Sequence, residues 1–325
     1  MKATMKDVAL LAGVGVGTVS RVINNNSSVK ESTLKKVNDA IKTLNYEPNE
    51  YARGMKSKYT NTIALIIPTV WHPFFGEFAF HVESMLSHLN YKVYICNSQG
   101  SAEKEYEYIQ MVKQNRVDGI IGITYTDIDQ YIDSNLPFVS IDRHFTEDVI
   151  YVTSDNHKVG EIAFEELVSR GSKHLAYIGG HQDTPNETKN RLKSFAAKCE
   201  EQNVKYSVLD MIEPIFDHSA QVMDFLDKNP GIDGIFAIND LLALDVVTVL
   251  ESRGLSVPND VQVIGCDGIK ISQERDFLIS TVRQPVKEMA ETSVELLIKT
   301  LNKQETAKRV VLDVNFIAGS TTREK

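Results

Sequence analysis

Cysteine is scarce in this chain, tryptophan almost absent, and no membrane-length apolar run is found. Three cysteines in 325 residues, Cys96, Cys199 and Cys266, are too few and too scattered for a disulfide framework and fit the reduced thiols of a cytoplasmic protein. Apolar runs such as Ile63-Ala64-Leu65-Ile66-Ile67 fall far short of the roughly 20 residues that a bilayer requires. The opening stretch MKATMKDVALLAG has no apolar h-region ahead of Lys6-Asp7, so export is not expected. Signatures of catalysis are missing too. The eight histidines form no H-E-x-x-H, and neither Cys-x-x-Cys, G-x-S-x-G nor a G-x-x-x-x-G-K-[ST] phosphate loop occurs. His81 and His88, seven residues apart, read as surface neighbours. No nucleophile or base is nominated, so the chain is not expected to be an enzyme or to carry a metal or cofactor.

What is present is material for burial and an uneven charge. Hydrophobic residues make up 42% of the chain and charged ones 24%, enough for one large core or two ordinary ones. The net charge of −9 argues, as an average, against nucleic acid. That average conceals a basic head: residues 1–60 carry +5, and the remaining 265 carry −14. A basic segment on an acidic body implies different partners for the two parts.

The head reads as a helix-turn-helix. Asp7 suits a first helical turn, and Val8, Leu11 and Ala12 follow at helical spacing. Gly13-Val14-Gly15 interrupts the pattern. A second helix over Val16–Asn24 turns Val19, Val22 and Ile23 inward and leaves Thr18, Ser20, Arg21 and Asn24 outward or sideways. A third, from about Ser32 to Asn45, carries Leu34, Val37, Ile41 and Leu44 on one stripe and closes a small core. The glycines invite a dinucleotide-loop reading, which fails because the spacing is G-x-G-x-G and the preceding segment is helical.

The strings KDVALLAGVGVGTVSRVIN, LKKVNDAIKTLNYEPN and ARGMKSKYTNTIALIIP closely resemble the LacI/GalR family of bacterial transcription factors. That resemblance implies a helix-turn-helix head over 1–47, a hinge helix and linker over 48–60, and an effector-binding, dimerising core over 61–325. The core would be periplasmic-binding-protein-like, with two doubly wound α/β subdomains, one of about 61–154 plus 283–314 and the other of about 155–282 plus 315–325. By the same resemblance Val16, Gly17 and Arg21 match base-reading positions, while Thr4, Thr18, Ser20 and Asn24 match phosphate contacts. Asn49, Ala52, Arg53, Met55 and Lys56 match the minor-groove hinge, with Met55 as the apolar wedge. Two departures stand out. Gly15 replaces a capping Ser, and Gly17 offers no side chain, which leaves Arg21 to carry more of the sequence readout. Val16 fits a place in the small core equally well, and the hinge stretch fits a plain solvated linker.

From Asn61 onward, β-rich runs alternate with amphipathic helical patterns. Strands are expected at 62–68, 92–96, 119–123, 137–141, 174–178, 234–238 and 261–265. Helices are expected near 74–90, 103–115, 157–170, 187–202, 218–228 and 239–253. A cleft between two such sheets binds ligand at the strands' carboxyl ends. Asp142-Arg143, Arg191, Asn239-Asp240, Asp267 and Gln284 follow strands or open helices there. Such carboxylates, amides and guanidinium suit a polyol, whose hydroxyls both donate and accept. Trp71, Phe74 and Phe75 offer an apolar face for a sugar ring. By resemblance, SDN (154–156), NRLKSF, FAINDLLAL, VIGCDG and TVRQP are core motifs, which puts Asp142, Arg191, Asn239, Asp267 and Gln284 at the effector. Simpler roles compete: Asn239 and Asp240 as helix caps, Asp142-Arg143 as an internal ion pair, Phe74 as core.

The expected protein is a cytoplasmic, sequence-specific repressor of carbohydrate genes, similar to sucrose- and ribose-type repressors of Gram-positive bacteria. Its partners would be pseudo-palindromic operator DNA, a small sugar or sugar phosphate, and a second copy of itself, with no membrane partner. A homodimer is favoured because no tetramerising heptads follow Ser320. The alternatives are a sugar sensor acting with a protein corepressor, and a solute-binding protein.

Overall fold

Three short helices open the chain in a computed structural model that describes residues 3–23, 29–46, 60–114, 116–133, 135–181, 184–212, 218–270, 272 and 274–325. They are α1 (Met5–Ala12), α2 (Val16–Ile23) and α3 (Glu31–Thr43). Thr4 and Asp7 start α1 with a capping box: Thr4 Oγ1 accepts the Asp7 N–H at 3.4 Å, and Asp7 Oδ2 accepts the Thr4 N–H at 2.8 Å. Gly13, at φ +64°, ends α1 in the left-handed conformation that favours glycine. The Gly15 carbonyl then accepts the N–H groups of Thr18 and Val19 and launches α2. Val8, Ala9, Ala12, Val19, Val22, Val37, Ala40 and Tyr46 form the core of this unit.

The inward stripes differ from expectation at two residues. Leu11 is 53% exposed and Leu34 36% exposed. The stripe of α1 runs through Met5, Val8, Ala9 and Ala12, and that of α3 through Val37, Ala40, Ile41 and Leu44. Each displaced leucine lies about one helical position off its seam. Val16, 43% exposed, lies outside the small core. Asn24 and the hinge candidates Asn49, Ala52, Arg53, Met55 and Lys56 lie outside the described residues.

The chain divides into two compact units, Met1–Thr60 and Asn61–Lys325. The larger begins with β1 (Thr62–Ile67), α4 (Pro73–His88), β2 (Lys92–Asn97), α5 (Ala102–Lys113), β3 (Gly119–Gly122), β4 (Phe138–Ile141) and β5 (Ile150–Ser154). The second lobe holds α6 (Asn156–Ser169), β6 (His174–His181), α7 (Lys189–Glu201), β7 (Lys205–Ile212), α8 (His218–Lys228), β8 (Gly234–Ala237), α9 (Asp240–Ser252), β9 (Gln262–Asp267) and β10 (Ser280–Arg283). The chain then returns to the first lobe for α10 (Val286–Leu301) and β11 (Arg309–Leu312), and crosses back for β12 (Asn315–Ile317).

Each lobe is one six-stranded sheet, ordered β11-β5-β4-β3-β1-β2 in the first and β12-β10-β9-β8-β6-β7 in the second. All pairings are parallel except that of β12 with β10. Parallel strands must be covered on both faces. In β1, Ile63, Leu65 and Ile67 pack with α4 and α10 through Phe78, Val82, Met289 and Leu297, while Ala64 and Ile66 pack on the other face with Ile109 of α5. The second lobe repeats the layers, α8 and α9 on one face and α6 and α7 on the other. In both sheets the order reverses next to the first strand, between β1 and β3 and between β6 and β8. Such a reversal opens a crevice at the carboxyl ends of the strands.

Candidate ligand cavity and DNA-reading head

Residues just past those carboxyl ends line a cavity of about 860 Å³, within the range of small-molecule sites. Thr69, His72, Phe74, Phe75, Tyr125, Thr126 and Asp142 come from the first lobe. His181, Thr184, Asn186, Thr188, Arg191, Ile238, Asn239 and Asp267 come from the second, and Gln284 from the segment that crosses between them. Phe75 stacks beside His72, ring centroids 5.0 Å apart, and meets Phe74 edge-on at 5.5 Å. The site therefore combines an aromatic wall with a polar floor.

Seven polar side chains, each at most 5% exposed, make up that floor and the layer beneath it, with Asp142, Arg191, Asp267 and Gln284 reaching the cavity. Thr153 Oγ1 donates to Asp142 Oδ1 at 2.6 Å. Asn156 Nδ2 donates to Thr153 Oγ1 at 3.1 Å, and its Oδ1 accepts from Arg191 Nε at 2.7 Å. Arg191 Nη1 donates to the Ile238 carbonyl at 2.7 Å and stands 4.0 Å from Asp267 Oδ1. Gln284 Nε2 donates to the same Asp267 oxygen at 2.7 Å, while Gln284 Oε1 accepts from Ser154 Oγ at 2.7 Å. Buried polar groups hold a unique arrangement only when partnered, and here the partners span both lobes.

The backbone is committed to the same end. Asp142, at φ +55°, occupies the left-handed region that Asp tolerates, and Asp267, at φ +122°, occupies one normally left to glycine. Such conformations cost about 1–3 kcal/mol each and cluster at functional sites. Helix packing aims Arg191: Gly160 in α6 lies so close to the start of α7 that a Cβ there would collide with the Arg191 carbonyl oxygen and Ser194 Oγ.

Burial dominates the titration of the floor. It pushes the Asp142 carboxyl up, opposed by the Thr153 hydrogen bond and Arg191. It also pushes up Asp267, opposed by Arg191 and Gln284. Asp240, buried beside Asp267, is raised by burial and then by that neighbour's charge, although its Oδ2 accepts the Gly268 and Ile269 N–H groups at 2.8 and 2.7 Å. Burial opposes the Arg191 charge, but Cys266, Asp267 and Asp142 raise its pKa above the ordinary value. Burial lowers His72 to about 4, so it is neutral. Its Nδ1 accepts the Phe74 N–H at 3.3 Å, which places the proton on Nε2, 3.9 Å from Asp267 Oδ2.

Of the residues expected at the ligand, Phe75, Asp142, Arg191, Asn239, Asp267 and Gln284 all line the cavity. Trp71 does not: it sits in the loop before α4, 91% exposed, its N–H held by Thr69 Oγ1. Phe74 serves as both core and wall. Asn239 likewise has two roles, since its Oδ1 caps α9 by accepting the Leu242 N–H at 2.9 Å. Asp142 and Arg143 diverge, for Arg143 donates to the Thr126 carbonyl and lies over the Phe145 ring. Sequence reasoning missed His72, Tyr125, Asn186 and Thr188. Only His72 carried a signal, as the residue before a proline opening a helix.

In the head, Val16, Gly17 and Arg21 are exposed along α2, with Thr18 and Ser20 half-buried beside the core. A Cβ at Gly17 would meet nothing within 4 Å, so packing does not demand glycine there. Thr4 Oγ1 is engaged in its own cap, 2.6 Å from Asp7 Oδ2.

A helix-turn-helix head in one chain with a two-lobed parallel α/β core defines a ligand-responsive DNA-binding class. Residues 4–49 match the model of the lacI family of bacterial regulatory proteins, and residues 164–322 match that of the periplasmic binding protein-like domain. The chain is 32% identical over 330 aligned positions to a sucrose operon repressor of Streptococcus mutans, covering 99% of this chain and 100% of the relative. It is 36% identical over 303 positions to a ribose operon repressor of Halalkalibacterium halodurans, covering 93% and 91%. Among solved structures, a complex of the transcriptional regulator CelR with cellobiose matches with a TM-score of 0.72 at 28% identity, covering 98% of this chain and 99% of that one. A Lac repressor dimer bound to operator and an anti-inducer shares the fold, with a TM-score of 0.84 at 22% identity and 99% coverage of both chains. The chain belongs to the lacI family.

Proposed function

We propose that this protein is a cytoplasmic, sequence-specific transcriptional repressor of a carbohydrate-utilisation operon, controlled by a small sugar bound between the lobes of its core, and that it is not an enzyme. The observation that carries this reading is the polar floor. Asp142 of the first lobe and Arg191 and Asp267 of the second belong to one buried network, and Phe74 and Phe75 line the same cavity. Alternating donors and acceptors below an aromatic wall match the faces of a sugar. Sucrose and ribose operon repressors among the relatives and a cellobiose complex among similar structures support the class of effector.

Val16, Gly17 and Arg21 are proposed to read bases, and Thr4, Thr18, Ser20 and Asn24 to touch phosphates. Arg21 would carry about 1–3 kcal/mol of discrimination through a bidentate guanine contact. Asn49, Ala52, Arg53, Met55 and Lys56 are proposed to form the hinge in the minor groove of a DNA-bound homodimer. Sugar would act by favouring one DNA-competence state, a coupling of typically about 1–3 kcal/mol. Fluorescence anisotropy with a pseudo-palindromic duplex from upstream of the operon is the test. Tight, salt-sensitive binding that a sugar shifts 5- to 150-fold, as couplings of that size give, is expected. Absence of binding to any such duplex rejects the reading.

A further inference from the structure

We infer that the cavity selects an uncharged sugar and excludes the phosphate ester of the same sugar, an inference that rests on the sugar-sensing reading above. A bound phosphate group carries about −1.5 to −2 charge near neutral pH and needs uncommitted cationic or backbone N–H donors. Among the described residues lining the cavity, the cationic side chains are Arg191 and two histidines. Arg191 commits Nε to Asn156 and one Nη1 hydrogen to the Ile238 carbonyl, and the Asp267 carboxylate 4.0 Å away balances its charge. His72 is neutral and fixed by the Phe74 N–H. His181 stands 2.9 Å from a carboxylate of its own, Asp210. Against these stand Asp142 and Asp267 in the lining itself.

Helix N-termini, the other usual anion site, each already give one N–H to a capping side chain. At the start of α4, Pro73 has no N–H to offer and His72 takes the next one. Asn239 Oδ1 takes the Leu242 N–H of α9, and Asn186 Oδ1 takes the Lys189 N–H of α7 at 3.3 Å. What remains is a surplus of carboxylate acceptors, which sugar hydroxyls satisfy as donors and a phosphate cannot.

The test is calorimetric titration of the full chain with D-ribose, D-fructose, sucrose and cellobiose, each beside its ester: D-ribose 5-phosphate, D-fructose 6-phosphate, sucrose 6-phosphate and cellobiose 6-phosphate. At least one uncharged sugar is expected to bind, with its ester at least tenfold weaker and inorganic phosphate not competing. Asp142→Asn and Asp267→Asn, checked for folding by thermal unfolding, are expected to narrow that ratio, since each removes a charge at constant size. An ester binding as tightly as its parent overturns the inference, as does a ratio unmoved by both neutral variants, which would assign the exclusion to size. Binding of neither form, with operator binding intact, removes the sugar-sensing reading and the inference with it.

Discussion

Arg191 is the residue on which most of the buried charge depends. It neutralises Asp142 and Asp267 in a place with little water to do so, and removing one member of such a set costs about 3–5 kcal/mol because the others stay charged and unpaired. Arg191→Ala is expected to lower the unfolding free energy of the core by that amount, read from denaturant melts, and to abolish sugar binding. Asp240 gives a prediction with a definite sign. Its carboxyl is raised above the unfolded value of 3.8 by burial and by Asp267. The stability it contributes is therefore complete below about pH 4 and is lost as pH rises through the folded-state pKa. Asp267 and Asp142, also raised, act in the same direction. Thermal unfolding between pH 5 and pH 9 is expected to show the wild type losing more stability than Asp240→Asn, which keeps an oxygen for the Gly268 and Ile269 N–H groups.

Among elements, the contact of α6 with α7 places the Arg191 guanidinium, and Gly160 is its closest point. Gly160→Ala overpacks that contact and is expected to cost about 1–3 kcal/mol, seen in denaturant melts, and to weaken sugar binding through Arg191. How visible each element is in the sequence follows from how it is solvated. The central strands β1, β3, β4, β8 and β9 are buried along their whole length and stand out as apolar runs. The edge strands β7 and β11 mix half-buried with exposed residues and carry charge, so their patterns blur into the surface. β5 is buried yet unremarked, because its last residues, Thr153 and Ser154, are polar members of the network. The site divides the same way. Asp142, Arg191, Asn239, Asp267 and Gln284 are readable from their places after strands or at helix starts. Trp71 is not, since a loop aromatic has no periodicity to give it a direction, and the roles of Thr153 and Asn156 arise only when two lobes meet.

For the whole molecule, the net charge of −9 is a sum of unlike parts, and the two parts are expected to respond differently to salt. The logarithm of operator affinity is expected to fall linearly with that of salt concentration, by about 0.9 for each phosphate neutralised, whereas affinity for an uncharged sugar, which displaces no counterions, is expected to stay level. Anisotropy and calorimetry over the same salt series check both. Deleting residues 1–60 is expected to remove DNA binding and leave sugar binding intact. The lobes of the core are tied at three neighbouring crossings. The Asp155 N–H donates to the Leu312 carbonyl at 2.8 Å, and Ser154 and Gln284 are bonded side chain to side chain. Two bodies tied along one line keep a single degree of freedom, a rotation about that line, and resist sliding or twisting. Gln284 lies on this axle and also grips Asp267. A ligand pulling on Asp267 therefore applies its torque on a short lever arm, and an ångström of movement at the cavity becomes a larger swing at the far ends of both lobes.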